Sequence, residues 1–352
     1  MKQDIDFTPN CPFPFEQYPH IVMAHGGGGR LMKRLLDQLI VPTLNAGSEQ
    51  EMHDAAIIEC GSDQRVAMTT DSFVVKPMEF PGGNIGCLSI YGTVNDLVMA
   101  GAKPAYISVG LIIEEGLKME TLWRFLNSMR IAAEECGVRI VTGDTKVVDR
   151  GKGDGLFINT AGLGFLPKQR NIHPQRITTG DVVLVSGDLG RHGIAIMAQR
   201  ESLSFETTIE SDCATLHQQV QTLLDNDIDV HCLRDLTRGG LSSALNELAM
   251  AANVSIELDD ATVPVEPQVR AACELLGLDP LYVACEGRFA AFVPEAQAER
   301  AISLLATLTD TYQPGIIGKV TPKAAAHVSL RSSFGSQRVL DMLSGEQLPR
   351  IC

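Results

Sequence analysis

Four aspartates lie where predicted strands end or predicted helices begin, each beside a glycine or another small residue. They are Asp71 in TTDSFVV, Asp96 in GTVNDLVMAGA, Asp144 in VTGDTKV and Asp235 in LRDLTRGG. A carboxylate in such a position can reach a hard cation, and Mg²⁺ takes oxygen ligands and often joins carboxylates to nucleotide phosphates. A single aspartate of this kind is more often a helix N-cap or a turn residue. The surrounding motifs therefore have to decide between a metal site and a structural role.

Lys146 and Glu286 are candidates for the remaining charges of such a site. Lys146 follows Asp144 by two residues, so both side chains share one face of an extended strand. The lysine could neutralise a transferring phosphate, or it could form a solvated ion pair with Asp144. Glu286 opens a strongly apolar strand, where a carboxyl group has a raised pKa and can act as a general base. Alternatively, Glu286 is a strand-end residue paired with Arg288.

Two glycine-rich turns could contact phosphate. Glycines 26–29 precede a predicted helix carrying Lys33 and Arg34, and the N–H groups of a helix start favour anions. No GK[ST] follows, so this is not a Walker A motif, and a flexible entry loop is the alternative. The turn at 186–193 does not have the GxGxxG spacing and has no acidic partner for a ribose. A Rossmann dehydrogenase is therefore disfavoured.

One of the nine cysteines, Cys352, is the last residue of the sequence. The nine form no CxxC motif and no regular framework, which is typical of reduced thiols in the cytoplasm. The terminal QLPRIC is not a prenylation motif, and Gly345 and Pro349 disfavour a helix. A thiol on an extended, mobile arm could carry a group between active sites, provided that a partner site activates it.

The length and the net charge of the chain limit the classes of function that the protein can have. At 352 residues the chain exceeds the usual size of one domain, and its 45% apolar and 20% charged residues are ordinary for a globular protein. A net charge of −14 disfavours nonspecific binding to nucleic acid or anionic membranes. The sequence contains neither a signal peptide nor 18 uninterrupted apolar residues, which again predicts the cytoplasm.

The elements that position these residues divide into two halves near residue 170. Mixed strands and helices, without strict βαβ alternation, predict two α+β domains of similar size. The glycine-rich turn at 150–155, between predicted strands, predicts a β-hairpin. Further strands are predicted at 55–59, 66–70, 106–113, 138–143, 181–187, 254–258, 288–294 and 316–321. Helices are predicted at 30–40, 89–99, 122–136, 193–201, 214–225, 239–252, 268–277 and 298–308.

Seven motifs resemble those of the HypE family of hydrogenase maturation factors, in the ATP-binding superfamily of aminoimidazole ribonucleotide synthetase and selenophosphate synthetase. They are HGGGGR (25–30), TTDSFVVKPMEFPGGNIG (69–86), GTVNDLVMAGAKP (92–104), VTGDTKVV (141–148), RDLTRGG (234–240), CEG (285–287) and PRIC (349–352). The internal motifs are typical of the superfamily, and the terminal PRIC is typical of HypE. The resemblance covers the chain from about residue 20 to its end.

The resemblance implies an ATP-dependent dehydration of a carbamoyl group carried as a thiocarbamate on Cys352. The product would be a thiocyanate, which supplies the cyanide ligands of the iron in [NiFe] hydrogenase. The carbamoyltransferase HypF would load Cys352, and the cyano group would pass to iron on the HypC–HypD complex. The implied fold is α/β, with the two-domain architecture of aminoimidazole ribonucleotide synthetase, an N-terminal sheet that pairs across a homodimer, and a mobile C-terminal tail.

The resemblance also assigns sites and boundaries. The catalytic set is Cys352, Glu286 and Lys146; the ATP set is Asp71, Asn95, Asp96, Gly143, Asp144 and Lys146; the Mg²⁺ set is Asp71, Asp96, Asp144 and Asp235. The domains are an extension at 1–19, an ATP-binding and dimerisation domain at 20–166, a linker at 167–180, a C-terminal domain at 181–343 and a tail at 344–352.

Two other functions remain open from the sequence. A small-molecule phosphotransferase related to selenophosphate synthetase would need a reactive cysteine or selenocysteine near the N-terminus, and Cys11 lacks the neighbouring lysine. A non-enzymatic maturation scaffold would leave the four aspartates without a purpose.

Overall fold

The structure is a computed structural model that describes residues 25, 29–40, 54–61, 63–201, 208–308, 314–324 and 327–342. The predicted extension at 1–19, glycines 26–28 and the predicted tail at 344–352 with Cys352 lie outside the described residues. Within them, no helix has the length and apolar character needed to cross a membrane.

The first half of the chain forms a five-stranded sheet with two long helices against it. Its strand order is β1-β2-β7-β5-β6, in which β5 and β6 are parallel and the other neighbours are antiparallel. The elements of this half are α1 (Arg30–Leu35, continued as a π-helical turn at Leu36–Ile40), β1 (Ala56–Cys60), β2 (Gln64–Phe73), β3 (Glu79–Phe80), β4 (Gly83–Asn84), α2 (Ile85–Met99), β5 (Lys103–Glu114), α3 (Met119–Cys136), β6 (Arg139–Val148) and β7 (Leu156–Pro167).

The predicted hairpin at 150–155 is wrong, because β6 and β7 lie on opposite sides of β5. The turn between them passes over the end of β5. There the Glu114 carboxylate accepts hydrogen bonds from the N–H groups of Gly151 at 2.5 Å and Gly155 at 2.8 Å. A glycine-rich turn between two strands predicts their connection but does not predict whether a third strand separates them.

Helix α2 is buried on nearly all sides, as expected for a helix with apolar residues around its whole circumference. It starts at Ile85, four residues before the predicted start, because the Asn84 side chain caps it by accepting from the N–H groups of Gly86 and Cys87. A Cβ at Gly86 would lie 2.3 Å from the Phe125 carbonyl oxygen, so only glycine lets α3 approach this closely. Helix α2 is thereby fixed in the centre of the molecule.

The second half forms a seven-stranded sheet in the order β14-β13-β10-β12-β8-β11-β9, with β10 and β13 parallel and the other pairs antiparallel. Its elements are β8 (Asp181–Val185), α4 (Arg191–Arg200), α5 (His217–Asp225), β9 (Cys232–Asp235), α6 (Gly240–Ala252), β10 (Ser255–Asp259), α7 (Pro267–Leu276), β11 (Phe289–Pro294), α8 (Ala298–Ala306), β12 (Gly315–Thr321), β13 (Val328–Arg331) and β14 (Gln337–Val339). The predicted mixed α/β fold in two domains is confirmed. Strands β9, β13 and β14 were not predicted, because they are too short for a clear alternating pattern.

Candidate functional site

A cleft of about 590 Å³ lies between the two halves, within the size range of small-molecule sites. Four of the predicted site residues line it: Asp71 and Asp96 from the first half, and Asp235 and Glu286 from the second. The chain thus brings together carboxylates that are separated by more than two hundred residues in the sequence.

Two neighbouring elements position the aspartates of the first half. Asp71 lies near the end of β2, and Asp96 lies on α2, which packs on the same sheet. The Thr69 hydroxyl of β2 donates to Asp96 Oδ2 at 2.7 Å, which orients this carboxylate towards the strand. A Cβ at Gly92 of α2 would lie 3.0 Å from the Phe73 ring, so a glycine here allows the close packing of helix and strand.

Asp235 ends β9, the edge strand of the second sheet. Its neighbour Arg234 forms an ion pair with Asp54 of the first half at 2.5 Å and another with Glu247 of α6 at 3.2 Å. Asp54, Arg234 and the cleft-lining Arg238 were not predicted as site residues. Arg234 and Arg238 stand in the RDLTRGG motif, which could have indicated them, whereas nothing near Asp54 in the sequence marks it.

The carboxylates of the cleft raise one another's pKa values. Burial raises the pKa of Asp96, and the negative charges of Asp235, Asp71 and Asp54 raise it further. Burial and the charge of Asp54 likewise raise the pKa of Asp235. Burial also raises the pKa of Asp71, against the opposing charge of Arg238. The ionised forms of these three carboxyl groups are therefore disfavoured, and a bound cation would stabilise them.

Glu286 is only 3% exposed, and its Oε1 is a buried oxygen for which the described part of the chain offers no hydrogen-bond partner. Burial, followed by the charges of Asp235 and Asp71, raises its pKa well above the usual range. The alternative role, a partner of Arg288, is not supported by the geometry, because Arg288 forms its ion pair with Asp188 at 2.7 Å. A carboxyl group in this setting binds a proton more strongly than one in water does.

Residues 211–216, here called the bridging segment, join the two halves beside Glu286. The Ser211 N–H donates to the Pro81 carbonyl oxygen at 2.8 Å, and Asn95 of α2 bonds the backbone of Ala214 and Leu216. Asn95, predicted as an ATP ligand, is thus a buried link between α2 and the bridging segment.

Cys87, near the start of α2, provides a test of this contact. A hydrogen bond with the Cys213 thiol of the bridging segment lowers the pKa of Cys87 to about 6. Because the thiolate is the reactive form, we expect alkylation of Cys87 by iodoacetamide to reach half of its maximal rate near this pH. Mass spectrometry of the Cys87 peptide after short pulses over a pH series measures the midpoint.

Removal of the donor provides the control for this measurement. Cys213→Ala is expected to move the Cys87 midpoint towards the ordinary thiol value of 9.0, whereas Cys60→Ala, at an exposed position of β1, leaves it unchanged. A wild-type midpoint close to the ordinary value would contradict the contact between the two thiols.

The remaining predicted residues lie on β6, outside the lining of the cleft. Lys146 and Asp144 share one face of β6, as predicted, and pair at 2.6 Å with side chains that are 68% and 72% exposed. Hydrogen bonding from Lys146 lowers the pKa of Asp144. A Cβ at Gly143 would lie 2.4 Å from the Val109 carbonyl oxygen of β5, so this glycine allows the two strands to pack.

The cleft fits Mg²⁺ by the chemistry of its donors. Asp71, Asp96 and Asp235 offer hard carboxylate oxygens, and Asp54 Oδ2 is buried without a hydrogen-bond partner within the described ranges. No group of three or more His, Cys, Asp or Glu side chains within those ranges is arranged to hold a metal ion. This suits Mg²⁺, which is usually held by one or two carboxylates together with waters and substrate phosphates.

Comparisons with known proteins agree with this architecture. The AIR synthase related protein family matches the chain twice, its N-terminal domain at residues 52–166 and its C-terminal domain at 178–330. Carbamoyl dehydratase HypE of Cupriavidus necator is 47% identical over 332 residues, which cover 94% of this chain and 95% of that protein.

Two crystal structures are similar over most of their length. A HypE–HypF complex has a TM-score of 0.82 at 38% identity and covers 88% of this chain and 99% of that one. HypE in complex with ATP has a TM-score of 0.78 at 41% identity and covers 95% of this chain and 100% of that one. With such identity over nearly its whole length, the chain belongs to the HypE family of carbamoyl dehydratases, within the AIR synthase related proteins.

Proposed function

We propose that this enzyme uses ATP to dehydrate a thiocarbamate on Cys352 to a thiocyanate. The observation that carries the proposal is the cleft itself, which is lined by three aspartates and by Glu286, a buried carboxyl group with one oxygen that has no hydrogen-bond partner among the described residues. An ATP complex of a similar HypE supports the nucleotide. The product would provide the cyanide ligands of the [NiFe] hydrogenase iron.

The reaction needs an activated oxygen, because the oxygen of an amide is a poor leaving group. Transfer of the γ-phosphoryl group of ATP to this oxygen, with loss of one N–H proton, gives a phosphorylated imidate and ADP. Removal of the second N–H proton lets phosphate leave and forms the C≡N bond. Atoms and charges balance as thiocarbamate and ATP giving thiocyanate, ADP, phosphate and a proton.

Different residues of the cleft would carry out the separate parts of this reaction. Asp71, Asp96 and Asp235 would hold Mg²⁺, which on binding neutralises the charge that develops on the phosphates. Arg238 lines the same cleft and lowers the pKa values of Asp71, Asp235 and Glu286, so its charge lies close enough to help hold the phosphates. Glu286 would accept the N–H proton in a pocket from which water is largely excluded.

The exposed ion pair of Asp144 and Lys146 on β6 is given a role in a proposed homodimer. β6 is the outer strand of the first sheet, and it exposes the apolar side chains Ile140, Val141 and Val147. Such an edge favours pairing with a second copy. We propose that Gly143, Asp144 and Lys146 contact the nucleotide from this paired edge, with Asp144 as a further Mg²⁺ ligand and Lys146 on the phosphates.

The proposed reaction also implies two partner proteins and a cellular compartment. A HypF carbamoyltransferase is proposed to load Cys352, in agreement with the HypE–HypF complex of a similar protein. A HypC–HypD complex is proposed to receive the cyano group. The described cysteines are all free thiols, which supports a reducing cytoplasm as the compartment.

Glu286→Gln tests the proposed base. Glutamine keeps the shape of the side chain but cannot accept the proton, so we expect the thiocarbamate to persist and dehydration to slow by about 10²–10⁴-fold. Intact mass spectrometry of the carbamoylated protein during a single turnover with Mg-ATP measures the rate.

The matched control is Glu257→Gln on β10, a strand that does not line the cleft, and this variant should dehydrate at the wild-type rate. ATP binding by Glu286→Gln should persist, because the three aspartates are unchanged. Dehydration at the wild-type rate in Glu286→Gln would rule out Glu286 as the base.

A further inference from the structure

The backbone of Glu286 is held on both sides by buried polar side chains. Its N–H donates to Asp212 Oδ1 at 2.9 Å, and its carbonyl oxygen accepts from Asn95 Nδ2 at 3.3 Å. Asn95 is 1% exposed and Asp212 is 4% exposed, so water does not compete for either bond. Together the two bonds determine where the Cα of Glu286 lies at the edge of the cleft.

Asn95 links Glu286 to the helix that carries Asp96. Its Nδ2 also donates to the Ala214 carbonyl oxygen at 3.0 Å, and its Oδ1 accepts from the Leu216 N–H at 2.8 Å. Both protons and the oxygen of the amide are therefore engaged within the protein. An amide used in this way transmits the position of α2 to Glu286, and Asn95 does not line the cleft where it could contact a nucleotide.

Asp212 holds Glu286 from the bridging segment. A Cβ at Gly287 would lie only 1.9 Å from the Asp212 carbonyl oxygen, so the two backbones are in direct contact and residue 287 has to be glycine. Ser211, the preceding residue, is tied to Pro81 just before α2. The bridging segment is thus fixed to the first half at both ends while it holds Glu286 between them.

We propose that Asn95 and Asp212 are positioning residues that set the Glu286 carboxyl group against Asp96 and Asp235 by clamping the Glu286 backbone. The inference rests on the proposed role of Glu286 as base, and it gives Asn95 a positioning role in place of the predicted contact with ATP. A displacement of about 1 Å at a reacting group can cost about 10²-fold in rate. The aspartates would stay in place, so the requirement for ATP should not change.

The first test compares two buried asparagines. Asn95→Ala removes the clamp, whereas Asn246→Ala removes an amide of α6 that similarly bonds two carbonyl groups, at 2.8 and 2.9 Å, away from Glu286. We expect both variants to unfold at lower temperature than wild type. At saturating Mg-ATP, Asn95→Ala alone should dehydrate its thiocarbamate about 10–10²-fold more slowly, with an unchanged ATP concentration for half-maximal rate.

The second test uses the conservative variant at Asp212. Asp212→Asn keeps an oxygen that accepts from the Glu286 N–H but removes a charge that raises the Glu286 pKa. At the plateau of the pH profile it should therefore keep the wild-type rate, whereas Asp212→Ala loses the acceptor and should be slow. If Asn95→Ala does not fold, the comparison of the two Asp212 variants still tests whether the clamp positions Glu286. Wild-type rates in Asn95→Ala or Asp212→Ala, beside a slow Glu286→Gln, would overturn the positioning roles and leave the base intact. A wild-type rate in Glu286→Gln would instead overturn the proposed function of Glu286.

Discussion

Cys352→Ala is expected to abolish the reaction completely, because no other group can carry the substrate to the cleft in the proposed mechanism. After incubation with a HypF carbamoyltransferase, carbamoyl phosphate and ATP, the variant should show no mass adduct and no cyanated form. The cleft is lined by residues between 29 and 286, so the variant should still bind Mg-ATP. Intact mass spectrometry and a nucleotide-binding titration measure the two properties separately.

Cys60→Ala is the control, because it removes the exposed thiol of β1 and should accept and dehydrate the carbamoyl group normally. Transfer of a carbamoyl group to the Cys352→Ala variant would assign the carrier role to another cysteine. Loss of the adduct in both variants would indicate damage to the fold or to the partner surface.

Asp96→Asn is expected to lower the activity without lowering the stability of the fold. The amide keeps the shape of the side chain and an acceptor for the Thr69 hydroxyl, but it removes one negative charge from the Mg²⁺ site. A metal ion contributes several kcal/mol of transition-state stabilisation, so a weakened site should slow ATP-dependent dehydration by more than about 10²-fold. Single-turnover mass spectrometry, with Mg²⁺ varied, measures the loss.

The same variant should be at least as resistant to unfolding as wild type without nucleotide, because burial and the charges of Asp235 and Asp71 disfavour an ionised Asp96. A carboxyl group with a raised pKa in the folded state stabilises the fold fully only below its unfolded value of 3.8. It loses this stabilisation as the pH rises through its folded pKa. The melting temperature of Asp96→Asn should therefore exceed that of wild type by an increasing amount as the pH rises from 3.8 to the folded pKa of Asp96. A variant that is active, or that melts below wild type throughout, would contradict the account of the site.

The local patterns of the sequence were sufficient for the family, the fold class and most elements. Helix α3 and strand β5 carry long periodic patterns, so their existence followed directly from the residues. Asp71, Asp96 and Asp235 stand in motifs at strand ends or on a helix, and the structure gathers these three in one cleft. Each aspartate taken alone is more often a cap or turn residue, so only the motifs taken together predicted a shared site.

The local patterns of the sequence did not predict the long-range contacts. The insertion of β5 between β6 and β7 depends on pairing between strands that are distant in the chain. Arg234 pairs with Asp54 across 180 residues, and no local spacing predicts such a contact. The role of Asn95 is hidden for the same reason, because its partners lie more than one hundred residues away in the bridging segment and at Glu286.

The central claim is that ATP drives the loss of one water from a carbamoyl group on Cys352. The most direct measurement is the intact mass of the full chain, carbamoylated by its carbamoyltransferase and then freed of that partner, before and after Mg-ATP is added. We expect the adduct to lose the mass of one water only with Mg-ATP, and we expect peptide mapping to place the remaining cyano group on Cys352. An adduct that keeps its full mass while ATP is hydrolysed, or that loses water without ATP, would contradict it.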